Sequence, residues 1–167
     1  MPQSPTSPPA PLTIEVDDLA ARAGQNLGHS SWHLISQTMV DTFADATGDH
    51  QWIHVDPVLA ATGPFGGTIA HGYLTLSLAP VLLDEVVSVH GAVLVVNYGT
   101  DRVRFPAPVP VGSSVRAVVE LVGAEEVSGG VQAHFKVSIE LEGVAKPACV
   151  AEIVFRYYRP RNQDGGR

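Results

Sequence analysis

From Val115 onward, apolar side chains fall on every second residue. Val115, Ala117, Val119 and Leu121 alternate with Arg116, Val118 and Glu120. Val131, Ala133, Phe135, Val137, Ile139 and Leu141 alternate with Gln132, His134, Lys136, Ser138 and Glu140. A period of two places each set on one face of a strand, so the second run reads as a strand with one buried face. Ala148–Tyr158 and Ala92–Arg104 read as two further strands, with turns at Gly129-Gly130 and Glu142-Gly143. A sheet with one apolar face needs a second layer to cover it. The chain supplies that layer at His71–Val89, where Leu74, Leu76, Leu78, Val81, Leu82, Leu83, Val86 and Val87 fall on nearly every helical face. This stretch reads as one long helix, buried nearly all round, in which Pro80 predicts a kink or a short break. An early apolar helix and a late, mostly antiparallel sheet make an α+β fold with the sheet wrapped around the helix.

The first half is helical and rich in loops. Trp32-His33-Leu34-Ile35 is a short strand candidate. Ser36 or Thr38 caps a helix through Met39, Val40, Phe43 and Ala44 that ends at Gly48. Asp56-Pro57 opens another short helix, with Asp as cap and Pro in the first turn. Phe105-Pro106-Ala107-Pro108-Val109-Pro110 is an extended connector, since its prolines cannot donate to helix or ladder. Residues 1–11 hold five prolines and no aromatic group, and read as a disordered leader. Residues 160–167 read as a flexible tail, which leaves 12–159 as one domain.

Composition narrows the function. Ten Lys and Arg against 17 Asp and Glu give a net charge of −7. That balance argues against a nucleic-acid partner, which needs a basic surface. The lone cysteine, Cys149, excludes an intramolecular disulfide framework and a cysteine-based zinc site. No apolar run of about 18 residues is present, so no bilayer-crossing segment is expected. No basic region followed by an apolar stretch opens the chain. A cytoplasmic protein without a membrane partner is the expectation.

The densest polar cluster is Thr47-Gly48-Asp49-His50-Gln51-Trp52-Ile53-His54-Val55-Asp56-Pro57, read as a loop between two helices. Asp49 and His54 lie five residues apart, and a loop turned by Gly48 lets both face one cavity. A carboxylate and an imidazole so placed hold a water and move its protons near neutral pH. Downstream, Ile69-Ala70-His71-Gly72-Tyr73 opens the long helix. Its first N–H groups have no intrahelical partner, and a glycine there lets a substrate carbonyl approach the Gly72 amide. His71 reads as the side chain that anchors the loop presenting Gly72. His50 and His54 also have an H-x-x-x-H spacing, but Gly48 and Asp56-Pro57 leave little room for a ligating helix, so no metal is expected. Asn97 interrupts an apolar strand and is either a donor to the pocket or a partner for a buried backbone group. Arg102 and Arg104 sit on one strand, at the pocket rim or simply in solvent. Trp52 is a packing residue or part of the substrate surface.

The run Ala46–Pro57, followed by Ile69-Ala70-His71-Gly72, resembles the MaoC-like hydratases, the (R)-specific enoyl-CoA hydratases of the hot-dog fold. The connector Val103–Gly112 is similar to that family's segment as well. The resemblance spans about residues 13–158. It implies a hot-dog fold and reversible syn hydration of a trans-2-enoyl thioester to the (R)-3-hydroxyacyl form. Asp49 and His54 would then be the catalytic dyad, Gly72 the carbonyl-binding amide, and His71, Asn97, Trp52 and Arg104 candidate substrate contacts. It implies a CoA or acyl-carrier thioester as substrate, no separate cofactor, and a homodimer paired edge to edge that builds an acyl tunnel at its interface. Which dyad member is acid and which base stays open at this level. Gln51-Trp52 stands where the family has Asn-Pro, which implies an altered loop surface. Two other functions fit the same fold. A hot-dog thioesterase would release free thiol, but such enzymes put a carboxylate on the helix, and none lies between His71 and Pro80. A non-catalytic acyl-thioester binder would bind without turnover.

Overall fold

The protein is described by a computed structural model over residues 10–161. The expected leader and tail lie mostly outside these residues. Ala10, Pro11, Pro160 and Arg161, which fall within them, are exposed and irregular.

Three strands build the main layer: β6 (Ser114–Val127), β7 (Gly130–Leu141) and β8 (Val144–Tyr158). They pair antiparallel, joined by turns at Gly129 and Gly143, whose φ of 79° and 74° suit glycine. The period-two reading holds residue by residue. Val115, Ala117, Val119, Leu121, Ala133 and Phe135 are fully buried, while the polar residues between them face outward. β5 (Leu94–Arg104) pairs with β8 at one edge. β2 (Gln25–His29) and β3 (His33–Leu34) pair with β6 at the other. The order is β2-β6-β7-β8-β5. β8 begins four residues earlier than expected, because the ladder is irregular between Ile139 and Leu141 and Pro147 fits within that irregularity.

The covering layer differs from one long helix. It is α4 (Gly72–Ser77) and α5 (Ala79–Asp84), joined at Leu78, followed by the strand β4 (Val87–His90). Pro80 lies in the first turn of α5, the helical position where a missing N–H costs nothing. The β-branched residues after it extend instead and pair in parallel with β1 (Leu12–Glu15). An all-apolar run carries no periodicity that separates helix from strand. Nor is the segment buried on every face: Leu74, Ala79, Leu82 and Leu83 enter the core, whereas Tyr73 and Val81 are exposed on this chain. Among the described residues, no helix is long and apolar enough to cross a membrane.

The other helices sit where their caps place them. α1 (Gln37–Thr47) starts at Ser36, whose hydroxyl accepts from the Met39 N–H at 3.2 Å, and ends at left-handed Gly48. α3 (Pro57–Ala61) is capped by Asp56, whose carboxylate accepts from the Leu59 N–H at 2.9 Å. Between them the expected loop contains a one-turn helix, α2 (Trp52–Val55). These three elements carry the polar cluster onto the rim of the core.

Candidate active site

Gly48 sets the direction of the polar cluster. Its N–H bonds to the Ala44 carbonyl at 2.8 Å, and its φ of 80° turns the chain sharply out of α1. Asp49 follows at once and is exposed. His50 turns away and pairs with Asp45 at 2.9 Å, which raises its pKa. It therefore does not join His54 as an H-x-x-x-H ligand pair. α2 then brings His54 inward, where it is buried.

Two bonds to Ile69 hold this turn. The His54 Nδ1–H donates to the Ile69 carbonyl at 2.7 Å, and the Ile69 N–H returns to the Ile53 carbonyl at 3.0 Å. Gln37, at the start of α1, donates through Nε2 to the His54 carbonyl at 2.8 Å. Buried Thr68 donates its hydroxyl to the Gln37 Oε1 at 2.6 Å. Local sequence does not reveal the roles of Gln37 and Thr68, because these pairings join residues 17 and 31 positions apart. With the Nδ1 proton engaged, Nε2 is the free acceptor of the His54 ring. Burial is the largest influence on its pKa and lowers it; the nearby His71 lowers it further, while the Ile69 carbonyl and Asp49 oppose the shift.

Asp49, His54 and His71 each present a side-chain atom, and the three atoms lie within 4.8 Å of one another. The His54 and His71 rings stack at 3.8 Å between centroids and 25° between planes. Lone pairs in two nearly parallel rings run side by side rather than converging on one ion. The His71 Nε2–H is also committed to the Asp49 backbone carbonyl at 2.9 Å.

Next to His54 lies a cavity of about 350 Å³, lined also by Phe65, Ile69, Gly72, Thr75, Phe105 and Ala148. Phe65 and Phe105 are exposed, so its mouth reaches the surface. Gly72 is the first residue of α4, and among the described residues no backbone carbonyl outside the helix accepts its N–H. The Phe105 ring lies close over it: a Cβ at Gly72 would stand 3.0 Å from two ring atoms. His54 and Gly72 thus line the same cavity.

The remaining candidates fall elsewhere. Trp52 packs its ring where a Cβ on Gly63 would lie 2.8 Å away, so it braces α2 against the end of α3. Asn97, on β5, lines a separate cavity of about 450 Å³ with Pro80, Leu83, Asp84 and Tyr157. Arg104 is exposed on the same strand and donates to the Val103 carbonyl at 2.7 Å. Within one chain neither Asn97 nor Arg104 reaches the His54 cavity. His71 stands behind His54 rather than in the cavity lining.

The MaoC like domain family matches residues 18–142. A Mycobacterium tuberculosis protein named 3-hydroxyacyl-thioester dehydratase Z is 59% identical over 143 residues, covering 85% of this chain and 95% of that protein. Nodulation protein N of Rhizobium leguminosarum is 40% identical over 157 residues, covering 92% and 98%. The solved (R)-hydratase from A. caviae involved in PHA biosynthesis superposes with a TM-score of 0.67 at 29% identity, covering 83% of this chain and 96% of that one.

Proposed function

Since the chain belongs to the MaoC-like dehydratase family, adopts the hot-dog fold and is a hydro-lyase, we propose that it interconverts trans-2-enoyl thioesters and (R)-3-hydroxyacyl thioesters, with CoA as the thiol. The observation that carries this reading is that Asp49 and buried His54 each present a side-chain atom within 4.8 Å of the other, while His54, its Nδ1 proton engaged by Ile69, lines one cavity together with Gly72.

In this reading the thioester carbonyl accepts from the Gly72 N–H, which draws charge onto that oxygen and leaves the β-carbon electrophilic. Asp49 accepts one hydrogen of a water and orients its oxygen. His54 Nε2 takes the other proton as the oxygen bonds to the β-carbon. The imidazolium then returns that proton to the α-carbon from the same face. Both added hydrogens come from the water, the addition is syn, and no cofactor enters. Burial supports His54 as the base, because it favours the neutral ring.

The assembly belongs to the same proposal. Among the described residues β5 pairs with β8 on one side only, and its Leu94, Val95, Val96 and Tyr98 are exposed. A long apolar edge of this kind needs covering, and pairing with a second copy covers it by two-fold symmetry. Sedimentation should give a dimer; a fully active monomer would overturn this part.

Crotonyl-CoA tests the chemistry. Loss of the conjugated enoyl absorbance without thiol release, and an (R)-3-hydroxybutyryl product, support the reading. Free thiol would point to a thioesterase, and tight binding without turnover to a binding protein.

A further inference from the structure

His71 is in contact with both members of the dyad yet does not line the cavity. Its Nε2–H donates to the backbone carbonyl of Asp49 at 2.9 Å, with an Asp49 carboxylate oxygen 4.0 Å away. Its ring face lies 3.8 Å from that of His54. Its other side meets Phe43 of α1, with centroids 5.0 Å apart. The ring is 3% exposed, and its Nδ1 has no hydrogen-bond partner among the described residues. The proton therefore belongs on Nε2, the tautomer that serves the Asp49 carbonyl. A buried nitrogen left bare is a departure from the usual pairing of buried polar groups. A phenylalanine would fill the space without it, but would offer no donor to Asp49.

These contacts cross the fold. Asp49 follows α1, His54 rides on α2, and His71 precedes α4. Asp49 is exposed, and among the described residues its carboxylate has, besides the 4.0 Å approach to His71, a 3.4 Å hydrogen bond from the Gln51 N–H, so little else fixes it. We propose that His71 is the positioning residue of the dyad: its Nε2–H fixes where Asp49 stands, and its ring face fixes the plane of His54. This rests on the dyad reading above. It extends that reading by making the spacing between acid and imidazole depend on a third side chain that does not line the cavity.

The pH dependence of activity separates this role from a merely structural one. The ionisable groups that act on His54 are His71 and Asp49. The other elements around it contribute Gln37, Phe65, Phe105 and Ala148, none of which ionises. Taking away the His71 ring opens His54 to solvent and removes a group that lowers its pKa. The acid limb of kcat should then move to higher pH.

The experiment compares His71→Ala, His71→Phe and His71→Gln with wild type on crotonyl-CoA, with Tm measured for each. Glutamine keeps a donor at the reach of Nε2, and phenylalanine keeps the ring face. His71→Ala should lose on the order of ten- to a hundredfold in kcat with little change in KM and with the acid limb raised. His71→Gln should recover part of kcat, and His71→Phe, which keeps the burial but not the charge, should raise the limb less than alanine does while kcat stays low. A folded His71→Ala with wild-type kcat and limb overturns the inference, as does a folded His71→Gln no better than alanine together with a wild-type limb in His71→Ala. Failure of the dyad reading shows separately, as wild-type turnover by His54→Ala in a protein whose His71 is intact.

Discussion

The Nδ1–H of His54 donates to the backbone carbonyl of Ile69 at 2.7 Å. A main-chain acceptor cannot ionise or rotate away, so it fixes the tautomer at every pH at which the ring is neutral. It also ties α2 to the segment that ends in His71 and Gly72.

If Asp49 and His54 share the proton work, removing either costs far more than its share of stability. Asp49→Asn and His54→Ala should each lower kcat on the order of 10²–10⁴-fold. Asp49 is exposed, so Asp49→Asn should leave Tm close to wild type. Steady-state rates with crotonyl-CoA and a thermal melt of each variant check this.

The lowered pKa of His54 sets a direction for stability against pH. Near an unfolded value of about 6.5, the unfolded chain takes up a proton that the folded chain declines. Unfolding therefore binds protons, and the His54 contribution to stability falls as pH drops below that value; above it, both states are neutral and nothing changes. His50 has a raised pKa through Asp45, and its contribution runs the other way, being lost as pH rises. Comparing wild type with His54→Gln cancels the His50 effect. Chemical denaturation between pH 5 and 7.5 should show wild type losing stability toward acid relative to His54→Gln.

The sequence made the ends of the site legible and hid its middle. Ser36, Gly48 and Asp56-Pro57 announce their caps through local chemistry, and the structure places α1 and α3 on them. The alternation in β6 and β7 is local too, since the pleat puts every second residue inward. β1 was not legible because its partner β4 lies some 75 residues away in an apolar run without period. Asp49 and His54 read as a pair because they lie only five residues apart in a loop turned by Gly48. What holds His54 was not visible: Ile69, Gln37 and His71 reach it through pairings that only the folded chain defines.

Gln37 is one of those hidden partners. Replacing it with alanine leaves the buried Thr68 hydroxyl without its acceptor and the His54 carbonyl without its donor. An unpaired buried polar group costs about 1–3 kcal/mol. Gln37→Ala should be destabilised by roughly that amount in urea. Its kcat should fall more than its KM rises, because His54 loses a tether and the cavity wall stays intact.

The Gly72 amide can be tested without touching any side chain. Gly72 opens α4, and its N–H has no helical acceptor, so a proline there removes a donor that the fold does not use. The preceding residue, His71, is already extended at φ −60° and ψ 139°, the conformation that a following proline requires. Any added carbon meets Phe105, so Gly72→Ala serves as the control for bulk. Phe105 is partly exposed and has room to yield. Gly72→Ala should therefore fold and lose only the activity that steric crowding removes. Gly72→Pro should fold equally well and lose on the order of a further 10²–10³-fold in kcat, the range for deleting one oxyanion donor. Equal activity in the two variants would mean that the thioester oxygen does not dock on this amide.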